Sequence, residues 1–381
     1  MALYELALMG APSEEQVDEL TRHLSELIAP FGLHLGAEVT CSIRPTNFTP
    51  SQKTAAAVAF FGDLGVSEEG LSSVLASGIP VLPIPSTDSA FGTEIPASLR
   101  ALNGLSYRTH GPERIATAVL ECVGLLPRQR RVFVSYRRTE AREAALQLFD
   151  ALSARLFDVF LDTHGIPPAV DFQNMLWNRL CDADVLVMLD TPGYFESRWT
   201  NSEYGRALAK GIAVLRVGWP DVKPSPRTFL TAARVDLSLA DVDVKTGHLN
   251  KESIEKICVQ LEAVRSASIA VRSLDLFTNL QLAVKRIGGV IVGVGPHKVV
   301  HVKLPDGKAV VVYPAVGVPT SLTLHTAMVH TSGHSVGILY DHVGLSEDCL
   351  EHLTWLETNI QRVRWIKVSE AAWSFADWEE R

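Results

Sequence analysis

Cysteine is scarce in this sequence and follows no pattern. Cys41, Cys122, Cys181, Cys258 and Cys349 are scattered, odd in number and never spaced C-x-x-C. That argues against a disulfide framework or a thiolate zinc site and points to reduced, mostly buried thiols in a cytoplasmic protein. Long apolar runs are missing too, and none reaches the roughly 20 residues that a membrane span needs. MALYELALMG carries no basic stretch ahead of its apolar run, so it does not read as a signal peptide. Positive charge is not in excess. A formal charge of -8 and a pI near 5.9 argue against a general nucleic-acid binder. No G-x-G-x-x-G or G-x-x-x-x-G-K-[ST] follows the first strand, so no phosphate cradle is expected there. With 47% hydrophobic and 20% charged residues, the 381-residue chain reads as globular and long enough for two or three domains.

Residues 1–126 alternate strand and helix patterns. YELALMG, AAAVAFFG and IPVLPIP are continuous apolar runs bounded by turn formers, as suits parallel strands covered on both faces. Ser13 with Gln16 three residues later is a capping-box pattern, and Val17, Leu20, Leu24, Leu27 and Ile28 then recur at helical spacing. An α/β domain is expected, with Asp63 and Asp88 in strand-end loops. PRQRR at 127–131 reads as a linker or strand lead-in.

Residues 131–222 carry the chemistry. VFVSY is a strand ending in a polar tip. A helical stripe follows at Ala145, Leu148, Phe149, Leu152 and Leu156. DVFLD, DVLVMLD and IAVLRVGW complete a parallel array whose strand ends collect Ser135, Arg137, Arg138, Asp162 and Asp190. Trp199 lies one helical turn before Glu203. A carboxylate near the start of a helix is also favoured by the helix dipole without any catalysis, and paired arginines commonly form a solvated face.

These residues resemble a known family. VFVSYRR, FLDTHGIPPAVDF, SRW and the following NSE occur in the order and at the spacing of Toll/interleukin-1 receptor (TIR) domains, particularly bacterial ones and those that cleave NAD. The resemblance covers about 90 of the 381 residues. Ala169 departs from it, standing where many members carry glycine. The resemblance implies a flavodoxin-like fold with a parallel sheet, and Glu203 as the catalytic centre of an NAD+ hydrolase. Ser135, Tyr136, Arg137, Arg138, Asp162 and Trp199 would contact substrate. The chemistry is consistent, because the nicotinamide of NAD+ is already a cationic leaving group. One carboxylate to stabilise an oxocarbenium-like ribosyl centre, or to hold the ribose hydroxyls, can then suffice. NAD+ would be a substrate and not a cofactor. The resemblance further implies self-association, with Asp162–Phe172 in the position of the BB loop completing a neighbour's pocket, and a role in anti-phage defence. It leaves open ADP-ribose against a cyclic product, and a non-catalytic interaction module is the alternative. Within residues 1–126, PVLPIPSTDSAFGTEIPASLRALNG has the flavour of the last third of a TIR-type fold, which would make that segment a degenerate unit of the same type.

Residues 223–270 are expected to form a linker and a bridging helix, and residues 271–381 an α+β domain able to take a protein or small-molecule activator. There GGVIVGVG, KVVHVKL, AVVVYPAVG and LTLHTAMVH read as successive strands, with Pro305–Asp306–Gly307 as a hairpin turn. Seven of the twelve histidines fall between His297 and His352. On strands, an i+4 pair such as His297 and His301 would share a face but lie about 13 Å apart, so no metal site is expected. The tail holds Trp373 and Trp378 among acids, as a docking segment or an exposed end.

Overall fold

Four runs in the first 128 residues pair as parallel strands: β1 (Tyr4–Gly10), β2 (Val39–Ile43), β3 (Ala55–Phe61) and β4 (Val81–Ile84), in the order β2-β1-β3-β4. The computed structural model describes residues 2–51, 54–65, 68, 70–161, 172–331 and 335–378. It divides into two units, Met1–Arg128 with Gly293–Val299, and Gln129–Val292 with Val300–Arg381.

In the first unit α1 (Glu14–Ile28) starts at the expected capping box, since Ser13 and Gln16 bond reciprocally. Its stripe Val17, Leu20, Leu24, Leu27 and Ile28 is buried. The helices α2 (Leu71–Ala76), α3 (Phe91–Glu94) and α4 (Tyr107–Cys122) complete the unit. β2, whose sequence VTCSI is polar on alternate residues and sits on the sheet edge, escaped the apolar-run criterion. At the β1/β3 junction Gly10 (φ +79°) packs so tightly that a Cβ would lie 2.0 Å from the Phe61 carbonyl oxygen. Asp88 is a loop carboxylate held by Ser106 and Thr109, whose hydroxyls keep its pKa below the usual range.

The second unit opens with a parallel sheet: β5 (Arg131–Ser135), β6 (Asp158–Leu161), β7 (Val185–Asp190), β8 (Ala213–Gly218) and β9 (Ala233–Asp236), ordered β6-β5-β7-β8-β9. This is the flavodoxin-like order, in which the crossovers change side between β5 and β7. Three helices connect the strands, α5 (Arg138–Ser153), α6 (Phe172–Asp182) and α7 (Arg198–Ala209). Ala144, Ala145, Leu148 and Leu152 on α5 pack into the sheet core, and Leu161, Val187 and Val217 meet them there. Leu156 does not join the stripe. The helix ends at Ser153, and Leu156 turns outward at φ +63° with 63% of its surface exposed.

The sheet runs past residue 222, because β9 pairs in register with β8. The bridging helix is also longer than its sequence pattern: α8 (Lys251–Arg286) has 36 residues, about 54 Å at 1.5 Å per residue. Its first half seats Ile257, Cys258, Leu261 and Val264 in the core of the β5–β9 sheet. Its second half seats Leu276, Leu280, Ala283 and Val284 against the next sheet. Buried Arg265 ties α8 to the start of β7 by donating to Asp184 at 2.7 Å.

That next sheet is β10 (Val290–Val294), β11 (Val300–Lys303), β12 (Ala309–Ala315), β13 (Val336–Tyr340) and β14 (Val363–Lys367), in chain order. β11 and β12 form the expected antiparallel hairpin, whereas β12, β13 and β14 are parallel. The LTLHTAMVH segment is therefore not a strand. It lies in α9 (Ser321–His330), capped reciprocally by Thr320 and Thr323, because a parallel β12–β13 pair needs a crossover that covers the sheet. Leu324 and Ala327 supply its buried face. His297 is not on a strand either; it sits at φ +57° in a turn. After α10 (Glu347–Asn359) and β14, α11 (Ala371–Ala376) packs the tail, with Phe375 and Trp378 buried and Trp373 80% exposed.

Candidate active site

Ligands of such sheets bind outside the carboxyl ends of the strands, where the crossovers diverge. Here that place lies between the ends of β5 and β7. Ser135 closes β5 opposite Met188 and is buried. Glu203 reaches it from the second turn of α7, one turn beyond Trp199. Ser135 Oγ donates to Glu203 Oε2 at 2.5 Å. The carboxylate is only 5% exposed, so its place follows from this inward bond and not from the helix dipole. Tyr194, in a 3-10 turn between β7 and α7, brings its hydroxyl within 2.7 Å of the same Ser135 Oγ. Its side chain is wholly buried. Desolvation first, and the Glu203 charge second, push its pKa well above the ordinary phenol value.

Above these atoms lies a cavity of about 520 Å³, bordered by Tyr136, Arg137, Arg138, Trp199, Thr200 and Glu203. Five residues singled out from sequence thus share one hollow, and Ser135 lies beneath it as a support for Glu203. Trp199 is 38% exposed, with the Arg198 guanidinium 4.4 Å from its ring centre. Arg137 is held by two carboxylates, Glu140 at 2.9 Å and Glu196 at 2.8 Å. Gly193 allows that arrangement, since a Cβ there would fall 1.2 Å from Arg137 Nη1, and its N–H donates to Glu140. Asp162, with His164 and the remainder of 162–171, lies outside the described residues.

Asp190, also expected at the strand ends, is turned away from the hollow. It forms a buried pair with Arg216 at 2.6 Å, and Arg216 also binds Asp236, tying β7, β8 and β9 together. Burial raises the Asp190 pKa even against the opposing pull of Arg216. Tyr194 was missed by sequence reasoning, which read TPGYFESRW only as a loop. The available signal was its place four residues after the end of β7. Among the described residues no group of three or more His, Cys, Asp or Glu side chains could hold a metal ion. A larger cleft of about 640 Å³ lies between β14 and α11, beside Arg364 and Trp373. It holds no buried carboxylate or nucleophile like the one beside Ser135, and the chemistry belongs to the smaller hollow.

No curated protein matches this chain. Among solved structures, one match is tagatose-6-phosphate ketose/aldose isomerase from Escherichia coli, at 13% identity over 77% of this chain and 83% of that one. Its TM-score of 0.20 is too low to bear on fold or activity. The family model described as TIR domain matches residues 132–258, from the first residues of β5 into α8. That span takes in the flavodoxin-like sheet and the start of α8, as far as Ile257 and Cys258 in the sheet's core, and the chain therefore carries a TIR domain.

Proposed function

We propose that this chain hydrolyses NAD+ at the nicotinamide–ribose bond, with Glu203 as the catalytic carboxylate. One observation carries the reading: a buried glutamate, oriented by Ser135, opens onto a cavity of about 520 Å³ at the switch point of the sheet. That volume suits part of a dinucleotide. In the reaction the C1′–N bond breaks and its electron pair leaves with nicotinamide, which departs neutral. The ribosyl C1′ becomes oxocarbenium-like. Water attacks it and loses a proton, leaving ADP-ribose. Glu203 balances the cationic centre or holds the ribose hydroxyls, in a site where low dielectric strengthens either interaction. Attack by a nucleophile within the same molecule, in place of water, would give a cyclic product.

Tyr136 and Trp199 wall the cavity, and Arg138 supplies positive charge for the pyrophosphate. Arg137, already paired with Glu140 and Glu196, acts more as a brace for the rim than as a phosphate ligand. The resemblance to NAD-cleaving members extends the proposal to a cytoplasmic enzyme that works as a self-assembled oligomer. It also suggests an activator acting through a flanking domain and a role in anti-phage defence. No helix among the described residues is long and apolar enough to cross a membrane.

The test is nicotinamide release from NAD+ by the assembled chain and by Glu203→Gln. The variant should lose roughly 10²- to 10³-fold in kcat, the scale of removing a preorganised electrostatic group. Equal rates would remove Glu203 from the mechanism. Self-association without release by the wild-type chain would instead identify an interaction module.

A further inference from the structure

Ser135 stands 59 residues from Tyr194 and 68 from Glu203 along the chain, yet the three place their oxygen atoms in one buried row. The protons in that row have only one arrangement while Glu203 is ionised. A carboxylate only accepts, and serine has one proton. The 2.5 Å bond uses that proton toward Glu203 Oε2, so the Tyr194 hydroxyl must be the donor across the 2.7 Å contact. The row runs Tyr194 to Ser135 to Glu203.

We propose that Tyr194 is a positioning residue for Glu203, acting through Ser135. The kinetic part of this proposal rests on the reading of the site as an NAD+ hydrolase; the hydrogen-bond geometry stands apart from it. The Tyr194 ring has little freedom. It is 0% exposed, packs in the core with Phe133, Leu186 and Ala207, and meets Phe195 edge-on at 5.1 Å. The Thr200 hydroxyl bonds to the Tyr194 carbonyl and ties the 3-10 turn to the first turn of α7, the helix that carries Glu203. Core packing alone needs no hydroxyl, and a buried hydroxyl costs stability unless bonded. Here it meets a hydroxyl that itself bonds to the Glu203 carboxylate.

The physical effect is orientation. A serine hydroxyl with a single partner can rotate among staggered positions. A donor fixed by the core occupies one of its lone pairs and leaves the Oγ–H aimed at Glu203. Consecutive hydrogen bonds in a low-dielectric interior also polarise one another, which strengthens the serine–carboxylate bond. Glu203 is thereby set before substrate arrives, and its reorganisation does not add to the barrier. Tyr194 stays protonated as a donor because burial and the neighbouring carboxylate oppose its ionisation.

The test compares the full-length wild type, Tyr194→Phe, Ser135→Ala and the double variant in nicotinamide release, with crystal structures of wild type and Tyr194→Phe. Tyr194→Phe keeps the ring in the core and removes only the hydroxyl. Its kcat should fall about 10-fold, the scale of one net buried hydrogen bond, with KM changed by less than roughly twofold. It should cost nothing further in the Ser135→Ala background, because the relay is already cut there. Ser135→Thr, which restores a hydroxyl, should regain most of the activity lost in Ser135→Ala. In the Tyr194→Phe structure Ser135 Oγ should have turned from Glu203. A kcat within roughly twofold of wild type, or losses that multiply in the double variant, would overturn the relay. If the wild-type chain releases no nicotinamide, the kinetic comparison drops out and the crystal structures decide the relay alone. A displaced Ser135 supports it, and an intact bond to Glu203 in Tyr194→Phe refutes it.

Discussion

Lys210 offers a quantitative test of how the C-terminal sheet holds the TIR domain. It caps the C-terminal end of α7, where a cation is favoured, and its side chain is 5% exposed. Nζ meets Asp341 Oδ2 at 2.7 Å and donates to the carbonyls of Asp341 at 2.9 Å and Val343 at 2.6 Å. The acceptors belong to the loop after β13, which also takes a bond from Cys181 Sγ and exchanges two with Asn178 through Ser346. Lys210→Met keeps the stem and removes all three contacts. Breaking a fully buried ion pair costs about 3–5 kcal/mol. Asp341 is 33% exposed and can regain water, so the value is discounted to about 2–3 kcal/mol. The assay is native-state hydrogen exchange at the amides of residues 341–346, because a chain of two units need not unfold in one step. A loss of 2 kcal/mol speeds exchange roughly 30-fold. Exchange unchanged within about threefold in Lys210→Met would mean that the lysine does not hold this loop, and the reasoning from burial would fail.

Two further outcomes follow from the packing. In Gly193→Ala the new Cβ forces Arg137 from Glu140 and Glu196, costing about 1–3 kcal/mol of stability. KM for NAD+ should move more than kcat, and an unchanged KM in steady-state kinetics would show that Arg137 has no part in binding. Burial pushes the Cys258 thiol from 9.0 up to about 11. The folded chain then keeps a proton that the unfolded chain gives up across that window, so this share of stability is complete below pH 9. It falls by about 1.4 kcal/mol per pH unit as the pH rises toward 11. Urea denaturation at pH 8 to 11 should show a shallower decline in Cys258→Ala than in wild type.

The sequence alone carried whatever repeats or caps locally. Apolar runs marked most strands, Ser13 with Gln16 marked the start of α1, and Pro305–Asp306–Gly307 marked the β11–β12 hairpin. The order of four short motifs was enough to identify the TIR segment, and Trp199 and Glu203 could be linked because a four-residue spacing is one helical turn. Local signals misled where a tertiary need outweighed them. LTLHTAMVH has strand-like composition yet is helical, because its neighbours pair in parallel and need a crossover. Leu156 continues the stripe of α5 in periodicity but follows the end of the helix. Only the tertiary structure decided that Asp190 is spent on Arg216, that Arg137 is held by Glu140 and Glu196, and that Tyr194 meets Ser135 beside Glu203. Spacing fixes which residues share a face of one element. Contacts between elements depend on strand order, and the order β6-β5-β7-β8-β9 is what brings the ends of β5 and β7 and the second turn of α7 to one buried point.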